Sequence, residues 1–329
     1  MKGLPTLSAL VLAAAAFAAT AAAAAPLKLS HVRPQGSQAD ADVRAFVADV
    51  AGKSTLKIDV FPANALGDYT VVQERVSVGA IDMALQPAAT AADRRMQLGV
   101  FPYLANDWAG ARRVFGKGSA LRDAIESMYA KQGITVLAAY PQYFGGISLN
   151  KVPVAPGDPD AAKGLKVRVP PIKSFQLLAN ALGYIGTPLP FSEAFTAVQT
   201  GVVDGVIGSG AEGYYASFRD VTKHYIAANT HFEIWYLIAG RDRLGELAAA
   251  DLKALQQAAA AFEERRWAGA EADQALNEKK LEEAGARIVR PSPAELAAHA
   301  AKVRRVVWPE VMKDVGEAFA RPILDKVAN

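Results

Sequence analysis

Few residues in this chain stand where they could do chemistry, and the first of them is an arginine. Leu165-Lys166-Val167-Arg168-Val169 alternates apolar and basic residues with period two. That predicts a strand with Val167 and Val169 on one face and Lys166 and Arg168 on the other. Pro170 and Pro171 follow and end it, since neither has an N–H for a ladder. Arg168 thus falls at the carboxyl end of its strand, the end where ligands bind in open α/β sheets. Its planar donor fork matches a carboxylate. An exposed strand arginine without a task is the plain alternative.

Most other chemistry is excluded. The chain has no cysteine, which rules out disulfides, thiolate metal sites and a Cys nucleophile. His31, His224, His231 and His299 are scattered, with no H-E-x-x-H and no close pair, so no metal site is expected. There is no G-x-S-x-G elbow. Gly208-Ser209-Gly210-Ala211-Glu212-Gly213 does match G-x-G-x-x-G after a predicted strand, and Glu233 lies twenty residues on, the spacing of a dinucleotide fingerprint. That fingerprint usually opens a domain, whereas this one lies two-thirds along the chain. No nicotinamide or other cofactor is expected.

The elements that must position Arg168 surround it closely. An apolar helical pattern (Phe175, Leu178, Leu182) stops at Gly183. A second begins after Pro190 and Ser192, carries Phe195 and Val198, and stops at Gly201. Val202 to Ile207 then reads as a buried strand, so the unit is strand, helix, helix, strand. Upstream, strands are expected at Leu27–His31, Leu56–Phe61 and Ile81–Leu85, with helices over Asp42–Val50 and Val71–Val78 between them. Ile134 to Ala139 is a strand, Tyr140 to Gly146 a loop, and Ile147 to Asn150 a strand. His231 to Ile238 is an apolar strand. Ala248 to Gly285 hardly breaks a helix-forming composition and, if continuous, is longer than one small domain. A last strand, Arg287–Val289, and two helices, Pro293–Val307 and Trp308–Phe319, complete the chain. Strands alternating with helices mean a parallel or mixed sheet covered on both faces.

With 329 residues and 51% hydrophobic content the chain can build one large or two medium cores. A net charge of +3 implies no field for nucleic acid or a membrane surface. Residues 1–25 read as an export signal: Lys2 as the positive region, Leu7 to Ala19 as the apolar run, small residues up to Ala25 for cleavage. A retained membrane anchor is the alternative, but the run is short for a span.

The central wording, KGLKVRVP and then PLPFSEAFTAVQTGVVDG, resembles the signature of the solute-binding subunits of tripartite ATP-independent periplasmic (TRAP) transporters. LKLSHV, FPANALGD, VGAIDMAL and LGVFPYLANDWAGARRVF are similar to further segments of that family, so the resemblance covers about residues 27 to 290. It implies a two-lobed, type II-like periplasmic-binding-protein fold, with mixed sheets flanked by helices and a long bridging helix. The lobes are expected to comprise 26–142 with 234–272, and 143–233 with 273–329. It implies that Arg168 holds a ligand carboxylate and that Phe191, in PFSE, contacts the ligand. Gln86 and Tyr69 fall at the family's first-lobe contact positions. Tyr143, Tyr214, Tyr215 and Trp235 are aromatic candidates by position.

Two departures stand out. The family commonly has Q-E-N-P after VVDG, whose Asn reaches the ligand; here Gly208 and Ser209 stand there, and their backbone N–H groups could approach a ligand instead. Many members carry an arginine before the crossover strand, where this chain has Gly145-Gly146. One carboxylate-facing arginine in place of two points to a small monocarboxylate. The resemblance therefore implies a monomeric periplasmic binding protein, not an enzyme, delivering an organic acid to TRAP membrane permease subunits. A binding protein of an ATP-driven importer and an exported α/β enzyme acting on a carboxylate are the alternatives.

Overall fold

The computed structural model describes residues 25–327. The expected export signal thus lies, but for Ala25, outside the described residues. Two sheets organise the chain. The first comprises β1 (Leu27–His31), β2 (Ile58–Phe61), β3 (Met83–Gln86), β4 (Ile134–Phe144) and a late strand, Phe232–Gly240. The second comprises β5 (Gly146–Leu149), β6 (Lys166–Val169), β7 (Ile185–Pro188), β8 (Gly205–Ser209), β9 (His224–Ile226) and another late strand, Arg287–Val289. With the late strands numbered β10 and β11, the orders are β2-β1-β3-β10-β4 and β11-β9-β5-β8-β6-β7. In the first sheet β1 runs parallel to β2 and β3, while β10 is antiparallel to β3 and β4. In the second, β6 is parallel to β7 and β8, and β5 is antiparallel to its neighbours.

The chain crosses between the sheets at adjacent points. β4 passes into β5 through Gly145, and β9 into β10 through residues 227–231. The two crossings are hydrogen-bonded to each other: Gly145 N donates to the His231 carbonyl and Thr230 N to the Gly145 carbonyl, each at 2.8 Å. A Cβ on Gly145 would stand 2.1 Å from the His231 ring, so only glycine lets these strands pass so closely. The third crossing is the helix Ala249–Glu283, unbroken over 35 residues and about 52 Å long at 1.5 Å per residue. It packs on β4 and the helix Gln38–Ala51 in the first lobe and on the helix Ala211–Phe218 in the second.

The helices start where their caps dictate. Ser37 and Asp68 each accept a backbone N–H of the turn they open, and Ser292 with Glu295 forms a capping box ahead of Pro293. The apolar core falls into three clusters. Leu29, Phe46, Leu237 and Phe262 fill one face of the first sheet. Val206, Tyr214, Phe218 and Tyr225 fill one face of the second. A third runs through the crossing region and joins Phe101, Phe144 and Phe232 to Val303 and Val307 of the C-terminal helices.

Four expectations are corrected. The segment 140–146 is not a loop: β4 continues to Phe144, paired with β10. Pro141 is tolerated because β4 is an edge strand, and the register shifts beside it. The central unit holds an extra edge strand, β7, between its helices. A further strand, β9, lies between the helix Ala211–Phe218 and the return crossing. Three C-terminal helices are present in place of two, because Gly316 at φ +93° breaks the chain after Val315. The first of them packs on the second lobe's helix Lys173–Ala181, and the last on Ala120–Lys131 of the first lobe.

Candidate functional site

The carboxyl ends of β1, β3, β6 and β8 meet the crossing strands β4 and β10 around one cavity between the lobes. Its volume is about 30 Å³, room for about two water molecules. The lobes are therefore closed on it: Arg33, Tyr143 and Arg168 are each 1% exposed.

Arg168 reaches the cavity from β6, held in register by β7 and β8. Val167 and Val169 on its flanks are fully buried in the core, so the alternation of the strand forces Arg168 to the cleft face. Its Nε donates to the Leu189 carbonyl at 2.8 Å, but its Nη2 is buried with no hydrogen-bond partner. Desolvation pulls its pKa below the usual arginine value, partly offset by Tyr69 and Tyr214. A desolvated guanidinium with an unused donor has the chemistry to accept a carboxylate.

Phe191 opens the helix Phe191–Gln199, and its ring lies between two guanidinium groups, with Arg168 at 5.7 Å and Arg33 at 5.3 Å from its centroid. Tyr143 and Ser209 line the cavity and are 3.0 Å apart, hydroxyl to hydroxyl. Tyr69 and Trp235 also line it. Gly208 does as well, at φ +99°, and a Cβ there would stand 2.5 Å from Pro170 Cδ. No side chain fits at 208, and the cavity wall there is backbone.

Three candidates lie elsewhere. Gln86 is buried behind the wall, where its Nε2 donates to the Tyr69 carbonyl at 2.9 Å and fixes the start of that helix. Tyr214 sits inside the second lobe, its hydroxyl 2.8 Å from the Val206 carbonyl and 3.0 Å from that of Gly146. Tyr215 stacks on Lys280 at 5.6 Å, away from the cavity.

Three charged residues of the cleft escaped the sequence reading of the site. Arg33, just past the end of β1, donates its Nε to Glu212 Oε2 at 2.7 Å and its Nη2 to the Tyr143 hydroxyl at 2.9 Å. Its guanidinium lies 4.7 Å from the Trp235 ring. Burial works to lower its pKa, but Glu212, Tyr143 and Glu233 together outweigh that and hold it above the usual value. Glu212 and Gly213 had been read only within the dinucleotide-like run. In the structure that run serves this contact instead: a Cβ on Gly213 would stand 2.5 Å from Arg33 Nη2. The glycine run does join β8 to the helix Ala211–Phe218, but Glu233 lies on β10 in the other sheet, not at the end of the next strand of the same sheet as a dinucleotide site requires. Its Oε1 accepts from Trp235 Nε1 at 2.6 Å and its Oε2 lies 3.0 Å from His231 Nε2. The strand-end rule that singles out Arg168 applies equally to Arg33 in LKLSHVR, and could have found it.

Known proteins share this frame. Residues 29–314 match the family described as bacterial extracellular solute-binding protein, family 7. The C4-dicarboxylate-binding periplasmic protein DctP of Rhodobacter capsulatus is 30% identical over 310 residues, covering 90% of this chain and 87% of that protein. A TRAP periplasmic solute-binding protein from Haemophilus influenzae, solved with bound L-gulonate, superposes with a TM-score of 0.82 at 23% identity, over 92% of this chain and 99% of the other. DctP7 of Bordetella pertussis, an extracytoplasmic solute receptor binding pyroglutamic acid, does so with a TM-score of 0.81 at 24% identity, over 93% and 100%.

Proposed function

Since this chain belongs to family 7 of the bacterial extracellular solute-binding proteins, the TRAP-type receptors, we propose that it captures a small monocarboxylate in the periplasm and hands it to TRAP membrane permease subunits. The observation that carries this reading is the buried, unpaired Nη2 of Arg168 in a closed cavity between two lobes. The ligand carboxylate takes that donor. Phe191, Tyr69, Trp235, Tyr143 and Ser209 enclose the rest of the molecule, and the backbone of Gly208 closes the wall. The relatives bind carboxylates by their names, a C4-dicarboxylate, L-gulonate and pyroglutamic acid among them. One carboxylate is favoured over two here because the second cleft arginine, Arg33, is already paired with Glu212. The closed cavity is smaller than any such acid, so binding requires the lobes to open and to close again around it.

A thermal-shift screen of the mature protein against organic acids tests this, because a ligand that binds only the folded state raises the melting temperature. Monocarboxylates are expected among the strongest hits, with a smaller radius of gyration at saturation than for the free open form. A screen in which only uncharged solutes shift the melting point would sink the reading.

A further inference from the structure

We infer that the ligand is a zwitterion: its carboxylate is taken by Arg168 and its cationic nitrogen by Glu233. This rests on the binding function proposed above and names the chemistry of the ligand's other end. The argument is a balance of buried charge. The cleft holds two arginines and two glutamates, all at most 5% exposed. Arg33 and Glu212 neutralise each other at 2.7 Å. Arg168 and Glu233 remain, both lining the cavity and not ion-paired with one another. Each keeps unused capacity. Arg168 has a free Nη2, and Glu233 accepts only two hydrogen bonds out of about four available lone-pair sites.

His231 leaves the glutamate's charge in place. Its Nδ1 lies 3.0 Å from Thr230 Oγ1, and a hydroxyl can donate there. A neutral ring with its proton on Nε2 then satisfies both of its contacts, while Trp235 supplies a neutral donor to the other oxygen. Without ligand the cleft sums to zero. A plain monoanion would leave one uncompensated negative charge in a closed, water-poor site, an arrangement that is strongly disfavoured. A zwitterion adds no net charge and answers both unpaired ends.

The test compares matched pairs by calorimetry on the full mature protein at neutral pH: α-amino and cyclic imino acids, betaines, and the hydroxy acids of the same shape, in sodium-free buffer with chelator. The zwitterion is expected to bind at least about tenfold more tightly than its hydroxy-acid match, with no proton uptake across buffers of different ionisation heat. Glu233→Gln should erase that preference, the zwitterion's affinity falling at least about tenfold relative to that of its hydroxy-acid match. The wild-type comparison stands even where that variant fails to fold. Equal or tighter binding of the hydroxy acid would overturn the zwitterion, as would uptake of one proton on binding or a requirement for an added metal cation. Each of these outcomes leaves the monocarboxylate function intact. Absence of binding by every carboxylate would instead sink the function itself.

Discussion

Arg33 and Glu212 join the two lobes across the cleft, Nε to Oε2 at 2.7 Å, with both side chains at most 3% exposed. Arg33 belongs to the first sheet's β1 end and Glu212 to the first turn of the helix after β8 in the second. The pair bridges the lobes in this closed arrangement, and Tyr143, on the crossing strand β4, is bonded both to Arg33 and to Ser209 of β8. Removing one partner of a buried pair costs about 3–5 kcal/mol where the other charge stays buried. Here the orphan can escape by opening. Glu212→Gln and Arg33→Met should therefore shift the ligand-free protein toward a larger radius of gyration with little change in its urea midpoint. Ligand affinity should fall with the shift, while Arg33→Met combined with Glu212→Leu should recover part of the closure. An unchanged scattering profile in both single variants would count against the latch.

Arg168 is the proposed anchor, and its variants separate binding from stability. Arg168→Ala should lower affinity for the best ligand at least a hundredfold, since about 3–5 kcal/mol is lost at about 1.4 kcal/mol per tenfold. Arg168→Lys should also bind poorly, because an ammonium cannot supply the planar fork. The ligand-free melting temperature of Arg168→Met should not fall, because the guanidinium is desolvated there with one donor unpaired. Calorimetry and thermal melting of the same samples check both halves. Near wild-type affinity in Arg168→Ala would remove the anchor.

Gly208 tests whether the family's asparagine can simply be restored. At φ +99° with Pro170 Cδ 2.5 Å from a built Cβ, any side chain is strained and overpacked. Gly208→Asn should destabilise the protein by about 1–3 kcal/mol from the backbone conformation alone, and more with the clash. It should also weaken ligand binding, because the new side chain displaces the wall formed with Pro170. A urea midpoint equal to wild type would show that β6 and β8 can part at no cost.

These residues also show what a sequence can and cannot disclose. Arg168 was legible because a period-two strand, two prolines and a known motif all pointed at one position. The long helix was legible from its composition and the two-lobed fold from the family resemblance, whereas the crossings lie at Gly145 and residues 227–231, a few residues before the expected Asn150 and Glu233. Strand β7 was not, since Ile185-Gly186-Thr187-Pro188 carries no alternation and gains its place only by pairing with β6. The continuation of β4 past Pro141 is a tertiary effect of pairing with β10. Glu233 and Glu212 were hidden for another reason. Their roles depend on which strand of which sheet lies opposite, a matter of topology and not of local pattern. Gln86 and Tyr214 looked like contacts because they sit next to them in sequence. One braces Tyr69 from behind and the other fills a core.

His299 gives the molecule a pH dependence away from the cleft. It is 3% exposed on the helix Pro293–Val306. Desolvation, with Lys163 nearby, lowers its pKa from the ordinary 6.5, against Glu295, Asp158 and a hydrogen bond to the Gly157 backbone. His31 is likewise lowered, chiefly by burial, despite Asp40 at 3.2 Å. Both are thus neutral when folded at a pH where the unfolded chain already binds protons. Stability is therefore fully present above about pH 6.5 and declines as pH falls from there through the depressed folded values. The carboxylates of Asp93 and Asp204, also held low, begin to contribute only near and below their ordinary 3.8. Urea midpoints between pH 7.5 and 5 isolate the histidines. The wild type should weaken steadily across that window, and His299→Gln should flatten the slope in part, leaving the His31 share. A variant with the full wild-type slope would show that His299 takes up its proton as readily folded as unfolded.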